Sequence, residues 1–135
     1  MEQKSELSKL YNFNNYMTYE NLNTEEWPEE LDALVAAPQH HKLLMENEFV
    51  RVLDTLIPPG EITNVHTHKW PATLYIISWS DFIRYDGEGN IVLDSRKLSK
   101  APLNSTAIWS DPLSPHALEN TGENTIHIIS VEIKR

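Results

Sequence analysis

From His41 to the C-terminus the chain is a succession of short runs rich in β-branched and apolar residues, each cut off by a cluster of turn formers. Phe49 to Ile57 ends at Pro58-Pro59-Gly60. Thr73 to Trp79 follows, and then Phe82 to Tyr85 and Ile91 to Asp94 flank Asp86-Gly87-Glu88-Gly89-Asn90. Thr106 to Trp109 comes after a loop, and Leu118 to Asn120 and Thr125 to Ile133 flank Thr121-Gly122-Glu123-Asn124. Val, Ile, Thr and aromatic residues suit a pleated, half-buried surface, whereas Gly, Pro and Asn supply the backbone angles of tight turns. Short strands at such close spacing predict an all-β sandwich or barrel rather than a helical or α/β domain.

The 135 residues fit one compact domain, with no repeat, low-complexity tract or interdomain linker. There is no cysteine, which excludes disulfides, thiolate metal sites and a cysteine nucleophile. Any bound metal must therefore take His, Asp, Glu or water as ligands. Lys and Arg number 11 against 20 Asp and Glu, a formal charge of −9, with no basic cluster. Nucleic-acid binding is disfavoured, because its affinity comes mainly from Lys and Arg on phosphates. The first thirty residues have the composition of neither a secretory signal nor a transit peptide, and no segment approaches the roughly 20 apolar residues that span a bilayer. The expected location is the cytoplasm, with no membrane partner.

Before the strands, residues 1 to 37 read as an arm and a short helix, and residues 38 to 135 as the barrel. The arm carries Leu10, Tyr11, Phe13, Tyr16, Met17 and Tyr19 without a sustained period. Its aromatics need a surface to cover, on the barrel or on a second subunit, so a homodimer through the arm or an edge strand is expected. In the helix, Thr24 is the candidate cap, Pro28 lies in the first turn, Leu31, Leu34 and Val35 form an apolar face, and Pro38 ends it. Its expected role is packing rather than chemistry.

The chemistry concentrates in Gly60-Glu61-Ile62-Thr63-Asn64-Val65-His66-Thr67-His68. Residues two apart on a strand share a face, so His66 and His68 present two imidazoles side by side, a ready chelate for a divalent transition metal. Burying two imidazoles together without a purpose would be costly, which favours ligation over a pair of satisfied polar residues. Fifty residues after His66, Asp111-Pro112-Leu113-Ser114-Pro115-His116 leads into Ala117-Leu118-Glu119-Asn120. This order resembles the two motifs of the cupin superfamily, G-x5-H-x-H-x3-E-x6-G and G-x5-P-x-G-x2-H-x3-N. Gly60, His66 and His68 match the first motif, and His116 and Asn120 match the second. The resemblance covers the chain from about Leu43 onward and implies a double-stranded β-helix, a jelly-roll-like barrel, with His66, His68 and His116 as ligands of one ion.

The departures are specific. The family's glutamate ligand falls on Ala72, its closing glycine on Trp79, and the glycine, proline and glycine of the second motif on Ser105, Asp111 and Leu113. Three-histidine members without the glutamate exist in the superfamily, among them thiol-oxidising and diketone-cleaving dioxygenases. The resemblance therefore implies a metal-binding cupin with Fe, Ni, Zn or Cu, acting as a dioxygenase-type oxidoreductase on a small organic acid or enol-like molecule. A non-enzymatic binding or sensing module and a metal-dependent isomerase or lyase are the alternatives.

Around this centre, Leu74 and Ile76 share the strand parity of Ala72 and are expected to face an apolar cavity. Arg51 and Arg84 lie in strand-like stretches, where an inward guanidinium would pair with a substrate carboxylate and an outward one would be solvated. Trp70 is either a wall of the cavity mouth or a packing residue. His127, between Ile126 and Ile128, is a candidate cavity residue, with a hydrogen-bonded wall position as the commoner alternative. His40 and His41 are expected at the surface or at a strand start. Asn120 is expected to bond backbone.

Overall fold

The computed structural model describes residues 23–134, and the aromatic arm expected at the N-terminus lies outside them. Nine strands are formed among the described residues: β1 (His41–Glu46), β2 (Val50–Ile57), β3 (His66–His68), β4 (Ala72–Ser78), β5 (Phe82–Asp86), β6 (Ile91–Asp94), β7 (Thr106–Ser110), β8 (Leu113–Asn120) and β9 (Ile126–Ile133). Every neighbouring pair is antiparallel. One sheet has five strands in the order β1-β2-β9-β4-β7, the other four in the order β3-β8-β5-β6.

The alternation read from the sequence produces this layering. In β9, Ile126, Ile128, Ser130 and Glu132 are buried and the residues between them are not; β2 and β4 alternate in the same way. Ile57, Leu74, Ile76, Ile108, Ile126 and Ile128 from the five-stranded sheet pack with Phe82 from the other. Fully burying one such side chain contributes about 1.5 to 3 kcal/mol, so this cluster is the main hydrophobic support of the fold.

Each stretch expected to be a strand is one, with ends shifted by a residue or so, except that β8 begins five residues earlier, at Leu113. Pro115 concealed this extension. His66 pairs with His116 and His68 with Leu113, so β8 carries one extra residue opposite Thr67. A bulge of this kind accommodates proline, which has no N–H to offer a ladder. The backbone also explains why the two motifs meet. Gly60, at φ 82°, turns the chain out of β2. Its N–H donates to Asn120 O at 2.9 Å, Asn120 N–H donates to Glu61 O at 2.9 Å, and Thr63 N–H donates to Leu118 O at 2.9 Å. Residues 60 to 63 thus run along β8 and deliver His66 opposite His116. The Asn120 amide is fully buried and donates to the carbonyls of Ile57 and Asn124.

The helix is shorter than expected. Thr24–Glu26 and Glu29–Leu31 form single 3-10 turns, and α1 covers only Ala33–Ala36. Asp32 interrupts the run with an extended backbone (φ −54°, ψ 143°), and its carboxylate, rather than Thr24, caps α1 by accepting from Leu34 N–H at 3.1 Å. The buried face is Ala33 and Ala37, while Val35 is 63% exposed. Asp32 takes this conformation because it is held from two further sides, by Arg51 and by a parallel bridge to Thr67. No helix of the described residues is long and apolar enough to cross a membrane.

Candidate metal centre

The strand register sets His66 opposite His116, and a fourth imidazole, His41, joins them; the three rings whose nitrogens come close enough to share an ion are His41, His66 and His68, rather than the expected His66, His68 and His116. Ring centroids lie 4.4 Å apart for His66 and His116, 5.0 Å for His66 and His68, and 5.8 Å for His68 and His116. His41, the first residue of β1, is 4.5 Å from His66 and 5.3 Å from His68. One ring nitrogen from each of His41, His66 and His68 lies within 4.8 Å of the others. Sequence reasoning left His41 outside the site. It does begin a strand, but it is buried, because it pairs with inward-facing Thr55 of β2. No local pattern marks it, since the rest of β1 is exposed. Its neighbour His40 is also buried and is tied to Glu61 at 2.8 Å.

All four imidazoles are anchored in one way. The Nδ1–H of His41 donates to Ala37 O at 2.9 Å, that of His66 to Asn64 O at 2.7 Å, and that of His116 to Ser114 O at 2.7 Å. His68 Nδ1–H donates to Glu132 Oε2 at 2.8 Å. Carbonyl and carboxylate oxygens only accept, so each Nδ1 carries a proton, and in a neutral ring Nε2 then keeps its lone pair. Burial holds His41 down to about 3. Burial, followed by the neighbouring imidazoles, holds His66 well below the ordinary value. Burial and then the Arg84 guanidinium do the same for His116. Neutral imidazoles with free Nε2 atoms and fixed Nδ1 partners are what a divalent transition ion needs, and second-layer acceptors of this kind orient metal-binding histidines. The donor set therefore fits such an ion.

Ala72 lines the same cavity and offers no ligand. Its partner on β9 is Glu132, a carboxylate one strand away. Glu132 is 1% exposed and both its oxygens are engaged, Oε2 by His68 and Oε1 by Arg51 Nε at 2.7 Å. The carboxylate thus stands behind an imidazole rather than among the donors.

Beside the imidazoles, Leu74, Leu118 and Ile128 supply apolar wall, Trp70 lines the cavity, and Arg84 on β5 brings a buried guanidinium. The space open to water centres is about 70 Å³, and since one water needs roughly 10 to 15 Å³ of such space, a ligand of only a few heavy atoms fits. Three expected cavity residues lie elsewhere. Arg51 is spent on the protein's own carboxylates, bidentate on Asp32 at 2.9 and 3.0 Å and bonded to Glu132. Ile76 is fully buried in the hydrophobic cluster. His127 has the outward parity of β9 and donates from Nε2 to Asp54 at 2.7 Å. Trp70 has a second role, since Arg51, Lys69 and Lys134 lie 5.0, 4.7 and 5.4 Å from its ring centre.

No protein-family model and no curated protein sequence matches the chain. Solved structures do. A cupin domain from Bordetella pertussis Tohama I superposes with a TM-score of 0.56 at 18% identity, over 70% of this chain and 92% of that one. An RmlC-like cupin with a double-stranded β-helix fold from Methanocaldococcus jannaschii gives 0.49 at 13% identity, over 69% and 77% of the two chains. An uncharacterized protein with a double-stranded β-helix domain from Klebsiella pneumoniae gives 0.48 at 16% identity, over 83% and 87%. Sheet order, strand direction and the first of these superpositions agree: the chain has the fold of a cupin domain.

Proposed function

We propose that the protein binds one divalent transition metal through His66, His68 and His116, with His41 as a further ligand, and acts on a small anionic molecule as a dioxygenase-type oxidoreductase. The observation that carries the metal reading is the common anchoring of all four imidazoles at Nδ1, which leaves four Nε2 atoms as donors. An ion bound there would supply Lewis acidity and, if it were redox-active iron, dioxygen chemistry.

The chain's own residues account for the ligand class. Neutral imidazoles leave the ion's charge undiminished, and the Arg84 guanidinium adds a second cation to the cavity, so a small carboxylate or enolate is favoured there. Leu74, Leu118 and Ile128 receive its apolar part and exclude water from it. The carboxylate in this lining, Glu132, has both oxygens engaged and is poorly placed to act as a base on a ligand. That same observation favours, as a second reading, a binding module with no proton-transfer step of its own.

Metal analysis of tag-free protein, followed by oxygen uptake with iron(II) and a panel of small carboxylic acids and enols, tests the proposal. Uptake that depends on ligand and is lost in Arg84→Gln supports it. Thermal stabilisation by a ligand without uptake points to the binding module, and turnover without dioxygen to an isomerase or lyase. Absence of metal from protein purified in metal-supplemented medium would remove the centre altogether. We propose further that a second copy of the chain pairs along β1, an edge strand on which Leu43, Leu44 and Met45 are 42%, 47% and 47% exposed. Light scattering at micromolar concentration tests this, and a monomeric mass would refute it.

A further inference from the structure

A buried ion pair stands directly behind the histidine cluster. Arg51 and Glu132 are 6% and 1% exposed, and taking two charges out of water is recovered only when geometry and hydrogen bonding are good. Here they are good and they lead in one direction. Asp32 holds both Nη atoms of Arg51, Arg51 Nε holds Glu132 Oε1, and Glu132 Oε2 holds His68 Nδ1. Asp32 is also the cap of α1. At the other end of α1, Ala37 O accepts from His41 Nδ1, and Ala36 O accepts at 3.0 Å from the side chain of Asn64, whose own carbonyl holds His66. The six residues 32 to 37, outside both sheets, thus reach the back of three imidazoles.

We propose that Asp32, Arg51 and Glu132 are positioning residues of the metal centre, selecting the His68 tautomer that presents Nε2 to the ion, and that the turn and helix at 32–37 belong to the centre rather than to packing. The inference rests on the metal reading of the site. Its logic is one of donors and acceptors. A carboxylate at 132 accepts from both neighbours, so the proton of His68 stays on Nδ1. In Glu132→Gln, Arg51 Nε–H still needs an acceptor and takes the amide oxygen, which turns the amide NH2 toward His68. Nδ1 must then accept, the proton moves to Nε2, and the nitrogen that faces the ion loses its lone pair. Arg51 is what dictates this orientation, and Asp32 is what fixes Arg51.

Metal-free protein with 15N-labelled histidine, at pH 8, reports the tautomer of each ring by two-bond proton–nitrogen correlation, and cobalt(II) titration reports affinity and ligand field. In the unmodified protein His68 should be protonated on Nδ1. Glu132→Gln should move that proton to Nε2 and weaken cobalt(II) binding about 10- to 100-fold, as loss of an outer-shell partner does elsewhere, with unchanged circular dichroism. Asp32→Asn, which can still cap α1 and touches no imidazole, should weaken binding by a smaller factor and change the cobalt(II) spectrum; it carries the test if Glu132→Gln fails to fold. An unchanged His68 tautomer and unchanged affinity in these variants would overturn the proposal while leaving the metal site standing. Failure of the unmodified protein to bind cobalt(II) at all would overturn the metal reading and this inference with it.

Discussion

Metal-free protein should lose stability in mild acid, well above the range in which its carboxylates titrate. His41, His66 and His116 are 5%, 2% and 6% exposed. Burial holds all three below the ordinary imidazole value in the folded state, and the Arg84 guanidinium adds to it at His116. In the unfolded chain each returns to about 6.5. Below that pH the unfolded chain binds more protons than the folded one, so stability falls as pH falls. The window opens near 6.5 and for His41 extends down to about 3. From pH 7.5 to 5.5 His41 shifts the equilibrium about tenfold toward the unfolded state, about 1.4 kcal/mol, and His66 and His116 act in the same direction. A domain has only about 5 to 15 kcal/mol in all. Asp32 and Glu132 open a separate, lower window. Against the upward pull of burial, Arg51 holds Asp32 low, and His68 with Arg51 holds Glu132 low. Their contribution is present above the ordinary carboxylate range and is lost beneath it. Urea unfolding of chelator-treated protein, followed by tryptophan fluorescence, should show a midpoint at least about 1 M lower at pH 5.5 than at pH 7.5, for a slope of about 1.5 kcal/mol per M. A loss under about 1 kcal/mol would refute the reasoning, since it would mean that these imidazoles are charged or solvated in the folded protein.

Three sets of substitutions probe the rest of the structure. His41→Ala should lower metal content of the purified protein, as should His66→Ala, His68→Ala and His116→Ala, whereas His127→Ala, on the outer face, should leave it unchanged; elemental analysis decides. Ala72→Glu should tighten cobalt(II) binding in titration, because it adds a carboxylate to a cavity-lining position; unchanged affinity would show that the side chain does not reach the ion. Gly122→Ala should destabilise by about 1 to 3 kcal/mol, since its Cβ would lie 2.8 Å from the backbone N of Asp81 and closer still to Ser80 Oγ. An unchanged melting temperature would contradict that packing.

The features legible in the sequence are those that strand geometry encodes locally. Alternation in β2, β4 and β9 needs only the period of two, and so does the shared face of His66 and His68. The second motif half marks Asn120, expected to bond backbone, and its amide does so at Ile57 and Asn124. Local reading fails where one residue's role depends on a partner fixed by sheet register. His68 and Glu132 are 64 residues apart, and Arg51 and Glu132 are 81 apart. Nothing near Glu132 in the chain distinguishes it from a solvated acid on a last strand, and nothing near Arg51 tells that its fork is already filled. His41 looks like a surface residue until β1 pairs with β2 and turns it toward His66. Parity is a property of the strand and can be read from residues two apart. Which buried donor faces which acceptor is a property of the folded sheets, because antiparallel pairing brings together residues whose separation in sequence carries no signal.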